Sequence, residues 1–213
     1  AGVNRAGHVL TFGSGPGCDV RVTGDEQQPV LQTPQGAFEL RLALPGVHNR
    51  LNAAAATAVA LALGISLDDI RAGLEVVKPV PGRLNFIDTS MGCTVIDDTY
   101  NANPASLYTA LQVLSGMQGT PWLVLCDMKE LGIYSPKMHR EVGDAARAMG
   151  VTRLFATGEM TVHAVDAFGE GGEHFASRDA LADSLRRQLR PGINCLVKGS
   201  RSMGMEAVVE AIT

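Results

Sequence analysis

The run Asp97-Asp98-Thr99-Tyr100-Asn101-Ala102-Asn103-Pro104 gathers two carboxylates, two amides and a phenol into eight residues. Side chains of these types can grip sugar hydroxyls, a base or a metal-bound phosphate. The alternative is a polar turn whose Asp and Asn side chains satisfy backbone groups. A second group, Asp127-Met128-Lys129-Glu130-Leu131-Gly132, gathers charged residues after a predicted central strand. Lys129 and Glu130 could equally be solvated surface. A third group, Lys198-Gly199-Ser200-Arg201-Ser202, follows a predicted strand, and a helix start is predicted there. A fourth group is His48, Asn49 and Asn52 at the start of an alanine-rich helix. His48 or Asn49 is expected at its N-cap and Asn52 in its first turn, where the positive helix end favours an anion or nucleotide. Capping alone is the simpler alternative, and it needs only Asn49.

These residues need elements to position them. Thr94-Val95-Ile96, directly before the acidic run, reads as a buried β-branched strand. Further strands are predicted near 84–87, 122–126, 154–157 and 195–198, alternating with helices near 104–114, 135–149, 161–168, 178–189 and 202–212. This rhythm predicts a doubly wound, mostly parallel sheet whose ligand crevice lies at the strand carboxyl ends. There the chain presents Asp97-Asp98, the 127–132 run, Gly158-Glu159 and Lys198–Ser202. The earlier part differs. Short strands are predicted at 9–12, 20–22 and 38–42, then a helix over 50–63 ending at Gly64 and led in by Pro45-Gly46, and a second helix capped by Ser66 and running to about Val77. The glycine-rich Gly13-Ser14-Gly15-Pro16-Gly17 lacks the Lys-Ser/Thr of a phosphate loop and reads as a turn. Lys78-Pro79-Val80-Pro81-Gly82-Arg83 is the expected boundary, a short linker stiffened by two prolines. His139 and His163 are read as structural or exposed, and Met203 and Met205 as packing residues.

Composition narrows the class. With 46% hydrophobic and 19% charged residues, the 213-residue sequence is that of a globular protein. A net charge of −4 and scattered basic residues argue against a nucleic-acid surface. There is no apolar run long enough to span a bilayer. Ala1-Gly2-Val3-Asn4-Arg5 lacks the apolar core of a secretory signal. Cys18, Cys93, Cys126 and Cys195 show no C-x-x-C spacing, so neither zinc nor a disulfide framework is indicated, and Cys126 and Cys195 fit reduced core thiols. The expectation is a cytoplasmic α/β protein.

Read together, Gly46-Val47-His48-Asn49-x-x-Asn52-Ala53-Ala54, Pro81-Gly82-Arg83, Asp97–Pro104, Asp127–Gly132 and Val197–Arg201 resemble the Mur ligase family in order and type. Within it, the Tyr-Asn-Ala-Asn and Lys-Gly-Ser-Arg forms are similar to those of ligases that join D-Ala-D-Ala to UDP-MurNAc-tripeptide. The resemblance implies three domains: a substrate domain, a central ATPase domain and a Rossmann-like C-terminal domain. Residues 1–79 are then expected to be the end of the central domain and 80–213 the C-terminal domain. No P-loop can be placed, so the chain alone is expected to be inactive. The cofactors implied are ATP and Mg²⁺, with the main metal ligands upstream. The substrates implied are UDP-MurNAc-tripeptide and D-Ala-D-Ala, handled by a monomer without nucleic acid or membrane. His48, Asn49 and Asn52 are then expected near adenine, and Arg83 near the γ-phosphate. Asp98 is expected at the ribose or positioning Arg83, with Asn101 and Asn103 lining the nucleotide side. Asp127, Lys129, Glu130, Ser200 and Arg201 are expected around the acceptor dipeptide. Other readings stay open: another Mur enzyme, a folylpolyglutamate synthetase, or a non-catalytic Rossmann-like binding module.

Overall fold

The computed structural model describes residues 9–25, 28–44 and 46–213. Pro45 and the opening Ala1–Arg5 lie outside the described residues. The chain divides into two compact units, the first ending at Pro79 and the second spanning Val80–Thr213.

The first unit holds β1 (Phe12–Gly13), β2 (Val20–Thr23), β3 (Val30–Thr33) and β4 (Gly36–Glu39), followed by α1 (Val47–Ala62) and α2 (Leu67–Glu75). The strands lie in the order β1-β2-β3-β4. The first pair is parallel and the others antiparallel. Val20 and Leu31 bury against Ala53, Ala54, Ala58, Leu61, Ile70 and Leu74. The small alanine side chains let α1 sit close to the sheet, and they favour the helix itself. Strand β3 was not expected from sequence, and β4 starts before the predicted 38–42. Both belong to a tight hairpin, in which Thr33 Oγ1 donates to the Gly36 carbonyl at 2.9 Å. The glycine-rich stretch at 13–17 is a turn, closed by Cys18 N donating to Gly15 O.

Helix α1 corrects one expectation. Its N-cap is Gly46, at φ +100°, and no side chain caps it. His48 and Asn49 therefore lie inside the first turn, and Asn52 lies one turn further on and exposed. A side chain at residue 46 would meet the His48 imidazole at 2.8 Å, so glycine and His48 fit together there. Helix α2 begins as predicted, with Ser66 Oγ accepting from Asp69 N at 3.2 Å, and ends at Glu75.

The second unit is built on β5 (Asn85–Asp88), β6 (Thr94–Asp98), β7 (Thr120–Cys126), β8 (Arg153–Thr157), β9 (Gly172–Phe175) and β10 (Ile193–Lys198). Its helices are α3 (Pro104–Ser115), α4 (Ser135–Ala148), α5 (Val162–Phe168), α6 (Arg178–Gln188) and α7 (Glu206–Ile212). The sheet order is β5-β6-β10-β7-β8-β9. All neighbours pair in parallel except β5, which runs antiparallel to β6. This is the expected α/β class.

Alternate residues of each strand serve opposite faces. Ile96, Leu123, Leu125, Leu154, Ala156 and Leu196 pack under α3, α4 and α5. Val95, Val124, Phe155, Cys195 and Val197 pack under α6 and α7. Helices on both faces explain why β7 and β10 read as unbroken apolar runs. Close approach of α4 to α5 requires glycine, since a Cβ on Gly143 would lie 2.1 Å from the Ala164 carbonyl oxygen. Two sequence readings change. β9 is an unforeseen edge strand. The predicted helix over 202–212 is broken at Gly204, whose φ of +58° ends a 3-10 turn (Arg201–Met203) before α7 begins. All four cysteines are free, three of them buried. Burial pushes the Cys126 thiol up to about 11, which leaves it an inert core residue. No helix among the described residues is long and apolar enough to cross a membrane.

Candidate functional site

The carboxyl ends of β6, β7 and β10 bring three of the sequence-predicted groups in the second unit together. Lys198, the last residue of β10, pairs in register with Asp98, the last of β6. Its side chain is 2% exposed. Lys198 Nζ donates to Asp98 Oδ2 at 2.5 Å and to the Asn101 carbonyl at 2.9 Å. Burial pushes Asp98 up and Lys198 down, and their mutual attraction opposes both shifts. Asp98 Oδ1 accepts from the Leu84 backbone at 3.2 Å, so the same carboxylate pins the residue next to Arg83. Leu84 holds a left-handed φ of +49°. Asp98 does not pair directly with Arg83; it fixes the backbone that carries it.

Asp97 has a parallel task. Its Oδ2 accepts from Gly82 N at 3.1 Å and its Oδ1 from Thr99 Oγ1 at 2.6 Å. Tyr100 N donates to Gly82 O at 2.9 Å. Gly82 sits at φ +74°, and a Cβ there would approach Tyr100 N to 2.9 Å, so the turn needs glycine. The outcome is a close pairing of the Pro81-Gly82-Arg83 turn with the 97–103 loop. The Arg83 guanidinium carbon lies 4.1 Å from the centre of the half-exposed Tyr100 ring, and that of Arg201 lies 5.8 Å from it. Two guanidinium groups converge on one tyrosine, a cationic surface suited to a phosphate or carboxylate.

Asn103 is the N-cap of α3. Its Oδ1 accepts from Ser106 N at 2.8 Å while Ser106 Oγ accepts from Asn103 N at 3.2 Å, a reciprocal capping box followed by Pro104. Asn101 is exposed, and its Oδ1 accepts from Ala102 N at 2.8 Å.

On the other side of β10, Ser200 is buried and its Oγ accepts from Lys129 N at 2.8 Å. The Ser200 backbone N–H donates to the Asp127 carbonyl at 3.2 Å. Ser200 and Arg201 therefore sit at a 3-10 turn rather than at the start of an α-helix, because Gly204 interrupts the pattern. Arg201 is exposed, with Glu206 at 3.6 Å. Asp127 is buried and fully engaged. It accepts from Lys129 Nζ at 3.1 Å and from the backbone N–H groups of Glu159, Met160 and Thr161 at 3.1, 2.9 and 3.1 Å. Burial alone would raise its pKa, but these donors outweigh it and hold the carboxyl below the usual value. Lys129 is half-exposed, and Glu130 is exposed at a left-handed φ of +64°. His139, on α4, is fully buried and holds this loop from below. A separate cleft of about 400 Å³, on the α6 side of the sheet, is lined by Thr157, Gly158, Glu159, Ser177, Arg178 and Met203 among others.

The sequence pattern placed Asp97-Asp98 and the Lys198–Ser202 run at the strand carboxyl ends and left Arg83 in the linker; it gave Lys198 no role of its own and overlooked Arg178. Arg178 donates to the carbonyls of Met203 and Gly204 at 2.9 and 2.7 Å, tying down the 201–204 turn. A lysine closing an otherwise apolar strand was the available signal for Lys198; for Arg178 there was none. His48, Asn49 and Asn52 lie in the first unit, on the opening turns of α1.

A mostly parallel sheet with polar groups concentrated at its strand carboxyl ends defines an open α/β domain of the kind that binds ligands at that edge. Residues 82–201 match the family model described as "Mur ligase, glutamate ligase domain", and the chain belongs to the Mur ligase family. It is 43% identical over 196 residues to the UDP-N-acetylmuramoyl-tripeptide--D-alanyl-D-alanine ligase of Escherichia coli K12, an alignment covering 91% of this chain and 43% of that protein. The crystal structure of MurF from Acinetobacter baumannii superposes with a TM-score of 0.83 at 35% identity, covering 95% of this chain and 46% of that one. MurF ligase from Thermotoga maritima, solved in complex with ADP, gives 0.77 at 26% identity, covering 95% and 48%. The chain thus spans less than half the length of these relatives.

Proposed function

We propose that this chain contributes the C-terminal part of a ligase that joins D-Ala-D-Ala to UDP-MurNAc-tripeptide at the expense of ATP, in peptidoglycan precursor synthesis. The observation that carries the reading is the convergence of Arg83 and Arg201 on Tyr100, above the Lys198–Asp98 pair. Two cations beside one polar floor suit a reaction in which a phosphorylated carboxylate meets an acceptor that itself carries a carboxylate. Residues 1–79 correspond in this reading to the end of the central ATPase domain and 80–213 to the C-terminal domain.

In the proposed reaction the terminal carboxylate of the tripeptide takes the γ-phosphoryl group of ATP. ADP leaves in that step; the amine of D-Ala-D-Ala, giving up a proton, then attacks the acyl phosphate, and the tetrahedral intermediate collapses to an amide and phosphate. Arg83 faces the transferring phosphate, where a guanidinium stabilises developing charge. Asp98 receives the ribose or holds Arg83 in place through Leu84. Asn101 lines the nucleotide side, and Asn103 supports it by capping α3. The adenine contact assigned to His48, Asn49 and Asn52 rests on the sequence resemblance. Arg201, exposed, takes the acceptor carboxylate, and Ser200, buried with its Oγ accepting from Lys129 N, holds the turn that carries it rather than meeting the ligand. Asp127, with its oxygens committed, acts by fixing Lys129. That leaves Glu130 as the exposed acid able to accept the amine proton. That the main Mg²⁺ ligands belong to the upstream part of the ligase rests on the sequence resemblance.

The test is phosphate release with Mg-ATP, UDP-MurNAc-tripeptide and D-Ala-D-Ala, for this chain and for the protein at its full natural length. Turnover by the longer protein that depends on D-Ala-D-Ala, with none from the 213 residues alone, supports the reading. Indifference of the longer protein to D-Ala-D-Ala overturns the acceptor assignment.

A further inference from the structure

Lys198 is the most deeply buried cation of the site, and neither the resemblance nor the reaction outlined above gives it a task. A lysine at 2% exposure is costly unless its ammonium is fully paired. Here it meets the Asp98 carboxylate at 2.5 Å and the Asn101 carbonyl at 2.9 Å. Both partners belong to the segment that carries Tyr100. Asp98 in turn accepts from Leu84 N, one residue beyond Arg83. A continuous path therefore runs from Lys198 through Asp98 to the backbone of Leu84 and the Arg83 guanidinium stacked on Tyr100.

We infer that Lys198 is a positioning residue: by bridging Asp98 and the Asn101 carbonyl it sets the loop carrying Tyr100 and, through Leu84, presents Arg83 to a nucleotide phosphate. The inference rests on the ligase reading for the identity of the phosphate, and on the geometry alone for the positioning. Removal of the ammonium leaves Asp98 buried without its counter-charge. The charged group that remains beside that carboxylate is the like-charged Asp97 on the same strand, while the Arg83 guanidinium from the turn before β5 acts on Lys198 itself. Loss of the Lys198 charge removes what opposes the effect of burial, so the Asp98 carboxyl is pushed further up; once it is protonated its hold on Leu84 weakens, and the placement of Arg83 becomes dependent on pH.

The experiment uses the full-length protein with Lys198→Met, Lys198→Gln and Lys198→Arg, together with the double variant Asp98→Asn/Lys198→Met. Two readouts are followed from pH 6 to 9: ADP affinity by calorimetry, and the ring signals of Tyr100 by NMR, with thermal melting to confirm folding. Lys198→Met is expected to lose at least tenfold in ADP affinity at pH 6 and to recover part of it by pH 9. Its Tyr100 signals should titrate over the same range. The wild type and Lys198→Arg should stay flat, and the double variant should be weak but independent of pH. Lys198→Gln replaces Lys198→Met if the latter does not fold. A loss of affinity equal at pH 6 and pH 9, with Tyr100 signals that do not titrate, would mean a merely structural lysine and overturn the inference. If the wild type binds no ADP, the ligase reading fails, and the Tyr100 titration alone then decides the role of Lys198.

Discussion

The backbone N–H of Met128 donates to His139 Nε2 at 3.0 Å, while Nδ1 of the same ring lies 2.8 Å from the Ser135 carbonyl. The imidazole therefore carries its proton on Nδ1 and is neutral. Burial lowers its pKa below the ordinary 6.5. A folded value below the unfolded one means that the unfolded chain binds more protons as pH falls. Stability is fully present above about pH 6.5 and declines as pH drops below it. Substitution His139→Gln keeps an acceptor in reach of Met128 but removes the titration. Melting temperatures between pH 7.5 and 5 are expected to fall less steeply in that variant; an unchanged slope would count against a neutral His139.

Asp127 behaves in the opposite sense. Its folded pKa is held low by Lys129 and by the amides of Met160 and Thr161, against the effect of burial. Its contribution is present above the unfolded value near 3.9 and is lost as pH falls through the lower folded one. Asp127→Asn turns an amide toward backbone donors and leaves at least one unsatisfied. A loss of about 1–3 kcal/mol is expected in urea unfolding at pH 7, shrinking toward zero in strong acid. A neutral effect at pH 7 would contradict the hydrogen bonds described here.

Asn103 separates a capping role from a ligand role. Asn103→Ala removes the cap of α3 and is expected to cost about 0.5–2 kcal/mol of stability. ADP affinity of the full-length protein should change by less than about threefold, because the side-chain oxygen is already engaged by Ser106 N. A tenfold loss of affinity in a folded variant would assign Asn103 to the ligand instead.

Arg83 carries the largest functional expectation. Arg83→Ala in the full-length protein should reduce ligase turnover by about 10²–10³, the usual cost of removing one donor to developing charge. Arg83→Lys should recover only part of this, since an ammonium loses both the planar fork and the stack on Tyr100. Steady-state phosphate release checks both, and a loss smaller than about threefold for Arg83→Ala would remove Arg83 from the transfer step.

Much of this arrangement was legible in the sequence for identifiable reasons. β6, β7, β8 and β10 are buried on both faces, so their apolar runs announced them. β9, with the sequence Gly-Glu-His-Phe, is a partly exposed edge strand without a β-branched residue and gave no such signal. The helix read over 202–212 had the right apolar period. Gly204 breaks it because its left-handed backbone accepts the Arg178 guanidinium, a partner 26 residues away. The His48–Asn49 cap failed for a local reason, since Gly46 takes the cap position with a backbone that those residues do not need to support. Asp97 and Asp98 were correctly placed at a strand end, but their division of labour was hidden. One binds Gly82 and the other Leu84, and a single sequence does not show which of two adjacent carboxylates faces which turn.

The insertion of β10 between β6 and β7 also bears on how the protein is made. During synthesis the ribosome delivers Asp98 a hundred residues before Lys198. Until β10 emerges, β6 and β7 have no common neighbour, and the acidic loop lacks its counter-ion. A nascent chain can form the local hairpin of β5 and β6 and the β7–β9 layer, but it cannot join them. The sheet and the polar floor of the site are therefore completed in one late step. A cell that surveys unfinished chains would find an open gap in the sheet until the charge meant to close it has been translated.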